Sequence, residues 1–384
     1  MGFKNRSVCL FLWVEIPRSN PLYPWDAMKE YQDDPEQDNN SDDLFEHQVI
    51  RIDDKQEPIR IDKFLMDRLP NVSRNRVQNA IKAGSVLVDN KEIKPNFRVK
   101  PRQQITVILP QQSTEPGLRL VPQNIPLDIR YEDEDVLIVH KPAGLVVHPG
   151  VGHFRGTLVN ALAYHFGLNQ IAIPDGNFQD RGGLVHRIDK NTSGLLVVAK
   201  NDYAMTHLAK QFFYHTIERT YYALIWGEPE ENTGTIDVNV GRNPRFRHEF
   251  TAFPEGEAGK WAVTHYEVLE RLYYVSLVKC NLETGRTHQI RVHMKYIGHP
   301  LFNDDKYGGN EIVKGTVFSK YKLFVEQMFS ICPRHALHAK SLGFVHPRTG
   351  EFMQFDSELP ADFNNALEGW RRYVEGRKAL LNRD

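Results

Sequence analysis

Arg187, Asp189 and Lys190 stand together in the polar segment HRIDKNTSG, which interrupts two apolar runs within residues 181–200. An opposite charge close by favours the ionised form of a carboxyl group. An ionised carboxylate at a strand edge is a good place for a nucleophile. Leu184-Val185 reads as the end of one buried strand, and residues 195–199, LLVVA, read as a second. Short β-branched runs of this kind suit strands covered on both faces. A plain turn also fits, because Asp and Ser bond their own backbone in turns and Gly194 supplies an unusual dihedral. Local physics leaves both readings open.

Other chemistries find little support. Gly150, Gly152 and Gly156 have the spacing G-x-G-x-x-x-G with no acidic strand end in the right place after them, so a tight turn into a helix is the better account. No GxxxxGK[ST] or HExxH occurs. His335 and His338 are three apart but no third ligand is evident, so neither metal nor cofactor is expected. Cys9, Cys280 and Cys332 form no CxxC pair, which fits a reducing cytoplasm.

The chain has 384 residues, enough for two domains, and its 41 % apolar and 25 % charged content is that of a globular protein. No apolar run approaches the ~20 residues of a membrane span. The run VCLFLWV at residues 8–14 faintly resembles a secretory leader, but it is short and Glu15 interrupts it. Met28 is an alternative start, followed by an acidic stretch. The net charge of −1 hides an asymmetry. Residues 1–57 carry 6 basic and 13 acidic side chains and read as an acidic, disordered segment. Residues 58–110 carry 11 basic and 4 acidic, which suggests a polyanion partner. Residues 111–126, rich in Pro and Gln, read as a linker, and residues 127–384 as the large domain.

Within the basic module, Ser73 and Gly84 bracket a helix over residues 74–83. Val77, Ala80, Ile81 and Gly84 have the spacing of a packed face, and Arg74, Gln78 and Lys82 form a separate polar stripe. A helix over residues 61–69 precedes it, and a hairpin about Asp89-Asn90-Lys91 and a strand over residues 105–109 follow. Two helices and a hairpin, with "SRNRVQNAIKAGSVLVDNKEIKPNFRVKPRQQI", resemble the S4-type RNA-binding domain. The resemblance implies phosphate contacts from Arg74, Arg76, Lys82 and Lys91, with affinity that falls steeply as salt rises.

In the large domain, residues 135–140 read as a strand and residues 156–166 as a helix. RTYYALIWG, residues 219–227, is a strand that sends Tyr221 and Tyr222 to opposite faces. Residues 273–281 form another strand, leading into ETGRTHQIRVHMKYIGHPL. Ile290, Met294 and Ile297 are spaced as one helix face, ended by Gly298. Arg291 lies off that face, either as a surface charge or as the partner of a carboxylate in a cleft.

"EDVLIVHKPAGLVVHPG", "GLVHRIDKNTSGLLVVAKN", "RTYYALIWG", "ETGRTHQIRVHM..IGHPL" and "ALHAKSLGFVHP", in this order, resemble the blocks of the RluA-type pseudouridine synthases. With the basic module and "HPGVGHFRGTLVNAL", the chain looks most like the RluD branch, which modifies large-subunit (23S) ribosomal RNA. Ile188 and Asn191 stand where Leu and Asp are commoner. The resemblance implies an α+β fold: a large mixed, mainly antiparallel sheet flanked by helices, plus the small αα-β-hairpin domain. It implies a cytoplasmic, monomeric enzyme of rRNA processing that isomerises uridine to pseudouridine, with no membrane partner. Asp189 matches the catalytic aspartate, Arg291 the bidentate guanidinium that keeps it charged, and Tyr221 the active-site tyrosine that stacks on the flipped base. The substrate-binding loop would comprise His186, which positions it, Arg187, which fills the space the base vacates, and Thr192. A non-catalytic ribosome-assembly factor is the rival reading; an RNA methyltransferase lacks support without a cofactor loop.

Overall fold

Residues 45–69, 72–110, 121–149, 155–167, 183–316 and 318–381 are described by the structure, a computed structural model. The leader-like run, Met28, Gly150 and Gly152 lie outside these residues. The small module comprises β1 (Phe45–Arg51), α1 (Ile61–Arg68), α2 (Arg74–Lys82), β2 (Val86–Val88), β3 (Lys91–Glu92) and β4 (Gln104–Pro110), with the sheet order β1-β4-β2-β3. Ser73 caps α2 by accepting the Arg76 N–H at 3.3 Å. Gly84 follows the helix at φ +68°. Asp89 and Asn90, both at positive φ, make the two-residue turn that pairs Val88 with Lys91. The acidic segment expected over residues 1–57 is structured at its end: β1 pairs along β4, and Ile52 is buried. Acidic composition carries no sign of this strand, whose partner β4 lies far along the chain.

The large region continues with β5 (Asp128–Glu132), β6 (Val136–Lys141), α3 (Leu158–His165), β7 (Ser193–Ala199), α4 (Asp202–Phe213), β8 (Glu218–Trp226), β9 (Thr233–Asp237), β10 (Asn239–Arg242) and β11 (Phe250–Phe253). Then come β12 (Val263–Arg271), β13 (Val275–Leu282), α5 (Gln289–Tyr296), α6 (Ser319–Ile331), β14 (Leu337–Val345), β15 (Phe352–Asp356) and α7 (Ala361–Leu381). The main sheet runs β5-β6-β7-β14-β8-β13-β12-β9, with β15 on β14. Only β7 and β14 pair in parallel among its described strands. The fold is thus α+β with a mixed, mainly antiparallel sheet.

Strand alternation assigns the two faces. Leu137, Val139, Leu196, Val198, Tyr221, Ala223 and Ile225 point to a core closed by α3 and α5. Their neighbours Val136, Ile138, Leu195 and Val197 meet α4, while Leu224 and Trp226 meet α6 and α7. The stretch expected to end a strand at Leu184-Val185 makes a single bridge, Leu184 to Val198. Within the expected linker, Val121 and Gln123 are bonded to Asn160 and Gly156, tying it to α3; residues 111–120 lie outside the described ones. Among the described residues no helix is long and apolar enough to cross a membrane.

Candidate active site

The segment His186–Thr192 enters β7, and its backbone is held from several sides. The buried Lys141 ammonium donates to the carbonyls of Pro142, Leu145 and Lys190 at 2.8–2.9 Å. Three acceptors match its three donors. Burial pushes this ammonium down to about 7, against the attraction of Asp189, and the carbonyls favour the charged form. Arg334 donates to Asn191 O at 2.9 Å while its fork grips Asp362 of α7 at 2.6 and 3.0 Å. Thr192 N–H closes the turn onto Asp189 O at 3.1 Å. The backbone is fixed, and the Asp189 side chain keeps 22 % exposure.

Helix α5 presents three faces. Ile290 and Met294 enter the core. Gln289 accepts from Thr284 Oγ1 and Arg286 N and donates to Val263 O and Thr264 Oγ1, which locks the helix start to β12. The third face carries Arg291, which is 4 % exposed in its side chain. Its Nη1 donates to Asp189 Oδ2 at 3.0 Å, 102 residues back in the chain. Its Nε and Nη2 grip Asp304 at 2.7 and 2.8 Å. The expected bidentate pair therefore exists, but with Asp304 as its partner; Asp189 receives the remaining donor. Asp304 is fully buried and also accepts the N–H groups of Lys306 and Tyr307. The Tyr307 ring lies 4.9 Å below the guanidinium.

Burial pushes the Asp189 carboxyl upward, but the charges of His288, Arg291 and His335 and the Arg291 hydrogen bond outweigh it and hold it well below the usual carboxylate range. Burial holds His335 down at about 3 and lowers His288, so at neutral pH the lasting cation is Arg291. Burial opposes the charge on Arg291 too, and Asp304 with Asp189 more than restores it. Tyr221 is buried on the same face, and its hydroxyl is raised by burial and by Asp189 against the pull of Arg219. It is therefore protonated at neutral pH. The site can hold one anionic carboxylate, partly open to a ligand, beside a neutral phenol.

A profile described as RNA pseudouridylate synthase matches residues 135–296, and one described as S4 domain matches residues 59–105. A protein of Chlorobaculum parvum named as an uncharacterized RNA pseudouridine synthase is 43 % identical over 323 residues, 83 % of this chain and 96 % of that protein. The chain belongs to the RluA-type RNA pseudouridine synthases. YlyB of Bacillus subtilis, also named as an RNA pseudouridine synthase, is 44 % identical over 84 % of this chain and 98 % of its own. The ribosomal large subunit pseudouridine synthase D of Zymomonas mobilis is 42 % identical over 79 % and 91 %. Like them, this synthase is an isomerase, and it carries an S4 RNA-binding domain.

The structure sorts the residues expected on the loop of this synthase. Arg187 is exposed beside Asp189. His186 is buried and stacks on Phe212 at 4.8 Å. Its Nε2 accepts the Val197 N–H at 3.0 Å, and burial holds it down at about 3, so it is a neutral brace of the loop. Thr192 was expected to bind substrate, but it is buried and bonded to His335 Nε2 at 2.9 Å. Directly before β7, its side chain is turned into the protein rather than toward a ligand. His338 is likewise committed, to Ser193 and Ser357. In the S4 module, Arg74, Lys82 and Lys91 are exposed, whereas Arg76 is only 8 % exposed and leaves the expected phosphate face. It adjoins Val77 on the buried side of α2.

Asp304, His288, Lys141 and Arg334 were missed. Asp304 sits in NDDKYGG, which reads as a surface turn. His288 stands at φ +57° before α5, with Nδ1 2.6 Å from Tyr307 Oη and Nε2 3.8 Å from Asp189. Asp133, Asp135 and His346 also cluster closely enough to hold an ion. Their side chains are bonded to Tyr131, Arg348, Asn201 and one another.

Proposed function

We propose that this synthase isomerises specific uridines of large-subunit ribosomal RNA through Asp189, with Arg291 and Tyr221. The observation that carries the reading is an ionised, partly exposed Asp189 held at 3.0 Å by a buried arginine. Relatives at 41–42 % identity bearing the name ribosomal large subunit pseudouridine synthase D support the choice of RNA. The target base leaves its stack at a cost of a few kcal/mol. The N1–C1′ bond breaks, the uracil turns, and C5 bonds to C1′. The C5 proton leaves, N1 gains one, and nothing is oxidised or transferred to another molecule.

Asp189 acts as an anion, either as nucleophile at C1′ or as base on the sugar. Arg291 keeps it charged once the base covers it and water has left. Tyr221 offers its ring to the extruded uracil, and stacking of that kind contributes about 1–3 kcal/mol. Arg187 takes the vacated place in the RNA, and Arg74, Lys82 and Lys91 bind phosphate. The test is Asp189→Asn. It should yield no pseudouridine while binding the same RNA as tightly, and substantial turnover by that variant refutes the assignment. Position-resolved pseudouridine mapping in a strain lacking the gene identifies the RNA; an unchanged large-subunit map removes that substrate.

A further inference from the structure

Strands β2 and β4 of the S4 module are buried on both faces. Val86, Val88, Ile105, Val107 and Leu109 face the module's own core. Leu87 and Ile108 point the other way, yet they are 2 % and 0 % exposed. Helix α4 provides the cover, packing on β4 and α2.

Two faces of α4 divide the work. Met205, Leu208 and Phe212, at i, i+3 and i+7, enter the core against the main sheet. Thr206, Lys210 and Phe213, at i, i+4 and i+7, meet the module. The buried Ser85 hydroxyl donates to Thr206 O at 3.3 Å. Lys210 Nζ pairs with Glu92 at 2.6 Å, and the Phe213 ring lies 4.7 Å from His47 of β1. Arg74, Lys82 and Lys91 stay exposed when the module is seated in this way.

We propose that the S4 module and the synthase domain grip RNA as one rigid body, with α4 as the seat. The target uridine is then selected by its distance from the stem held by the module. A module on a loose tether imposes no such distance. The inference rests on the RNA-modifying reading above and adds a basis for site choice.

The test uses the full chain. Lys210→Glu and Glu92→Lys each set like charges face to face, and the double swap restores attraction. Small-angle scattering should show one compact particle for the wild type and the swap, and an expanded one for each single variant. Should the singles stay compact, Ser85→Arg drives a guanidinium into the buried contact and serves as the undocking variant. On transcribed large-subunit RNA, undocked variants should lose about tenfold or more in kcat/KM, or modify neighbouring uridines, as binding sites lose their matched geometry. On a short stem-loop carrying only the target uridine they should stay within about twofold of wild type, a difference under about 0.5 kcal/mol. The proposal is overturned by a wild type that scatters as two loose bodies, or by a swap that does not recover. Undocked variants with unchanged rate and sites on the long RNA also overturn it. A wild type inactive on both RNAs counts instead against the function.

Discussion

At the scale of residues, the site depends on how one guanidinium is shared. Arg291 gives two donors to the buried Asp304 and one to Asp189. Two carboxylates around one cation leave Asp189 less neutralised than a private bidentate pair would. Arg291→Lys keeps the charge and loses the fork. An ammonium cannot make all three of these bonds in the same geometry, so this variant should lose stability as well as turnover. Asp304→Asn separates the two effects. Its amide still accepts a hydrogen bond, but Arg291 is released toward Asp189, and turnover should fall by at least about tenfold, or ~1.4 kcal/mol of barrier. RNA affinity should hold. Full activity in Asp304→Asn, measured with single-turnover kinetics, contradicts a role for this shared arrangement. The family blocks point to Asp189, Tyr221 and Arg291 as candidates, but not to Asp304. Burial of an aspartate inside a glycine-rich turn depends on a partner from another element, and no local spacing records that.

At the scale of elements, the geometry depends on the parallel pairing of β7 with β14, Ser193 and Gly194 against His338 and Ala339. Gly194 has φ +121°, and a Cβ there would stand 2.2 Å from Ala339 O. Backbone cannot give way cheaply, so only glycine lets β14 approach the strand that follows Asp189. Gly194→Ala should cost about 1–3 kcal/mol from overpacking, with a further 1–3 from the left-handed backbone. The thermal midpoint should fall, and turnover at a temperature where the chain is still folded should fall with it. An unshifted midpoint means β7 tolerates the side chain. Elements with strong local signals were legible: the Ser73 cap of α2, the Asp89-Asn90 turn, and the apolar stripe of α5 all stand where spacing placed them. Pairings between distant strands were not, nor was β1, whose partner β4 lies more than fifty residues on.

At the scale of the whole molecule, several histidines are kept neutral by burial, and this ties folding to pH. Burial holds His186, His335 and His338 down at about 3 and His207 at about 4. In the unfolded chain each returns to about 6.5. Below that value the unfolded state takes up protons that the folded state refuses, so stability falls as pH falls. By pH 5.5 each such histidine removes about 1.4 kcal/mol, set against a typical net stability of about 5–15 kcal/mol. Asp189 and Asp304 act in a lower window. Their folded carboxyls are depressed, so their contribution is whole above about pH 4 and is lost only below it. Acid should therefore unfold the enzyme before it neutralises the Asp189 carboxylate. The thermal midpoint should begin to drop near pH 6.5 and continue steeply through pH 5, while kcat on still-folded protein shows no acid limb in that range. His338→Gln, which keeps polar groups beside Ser193 and Ser357, should flatten the stability curve by about one proton's slope, ~1.4 kcal/mol per pH unit. A midpoint that holds steady down to pH 5 would show that these imidazoles take up protons in the folded chain as readily as in the unfolded one.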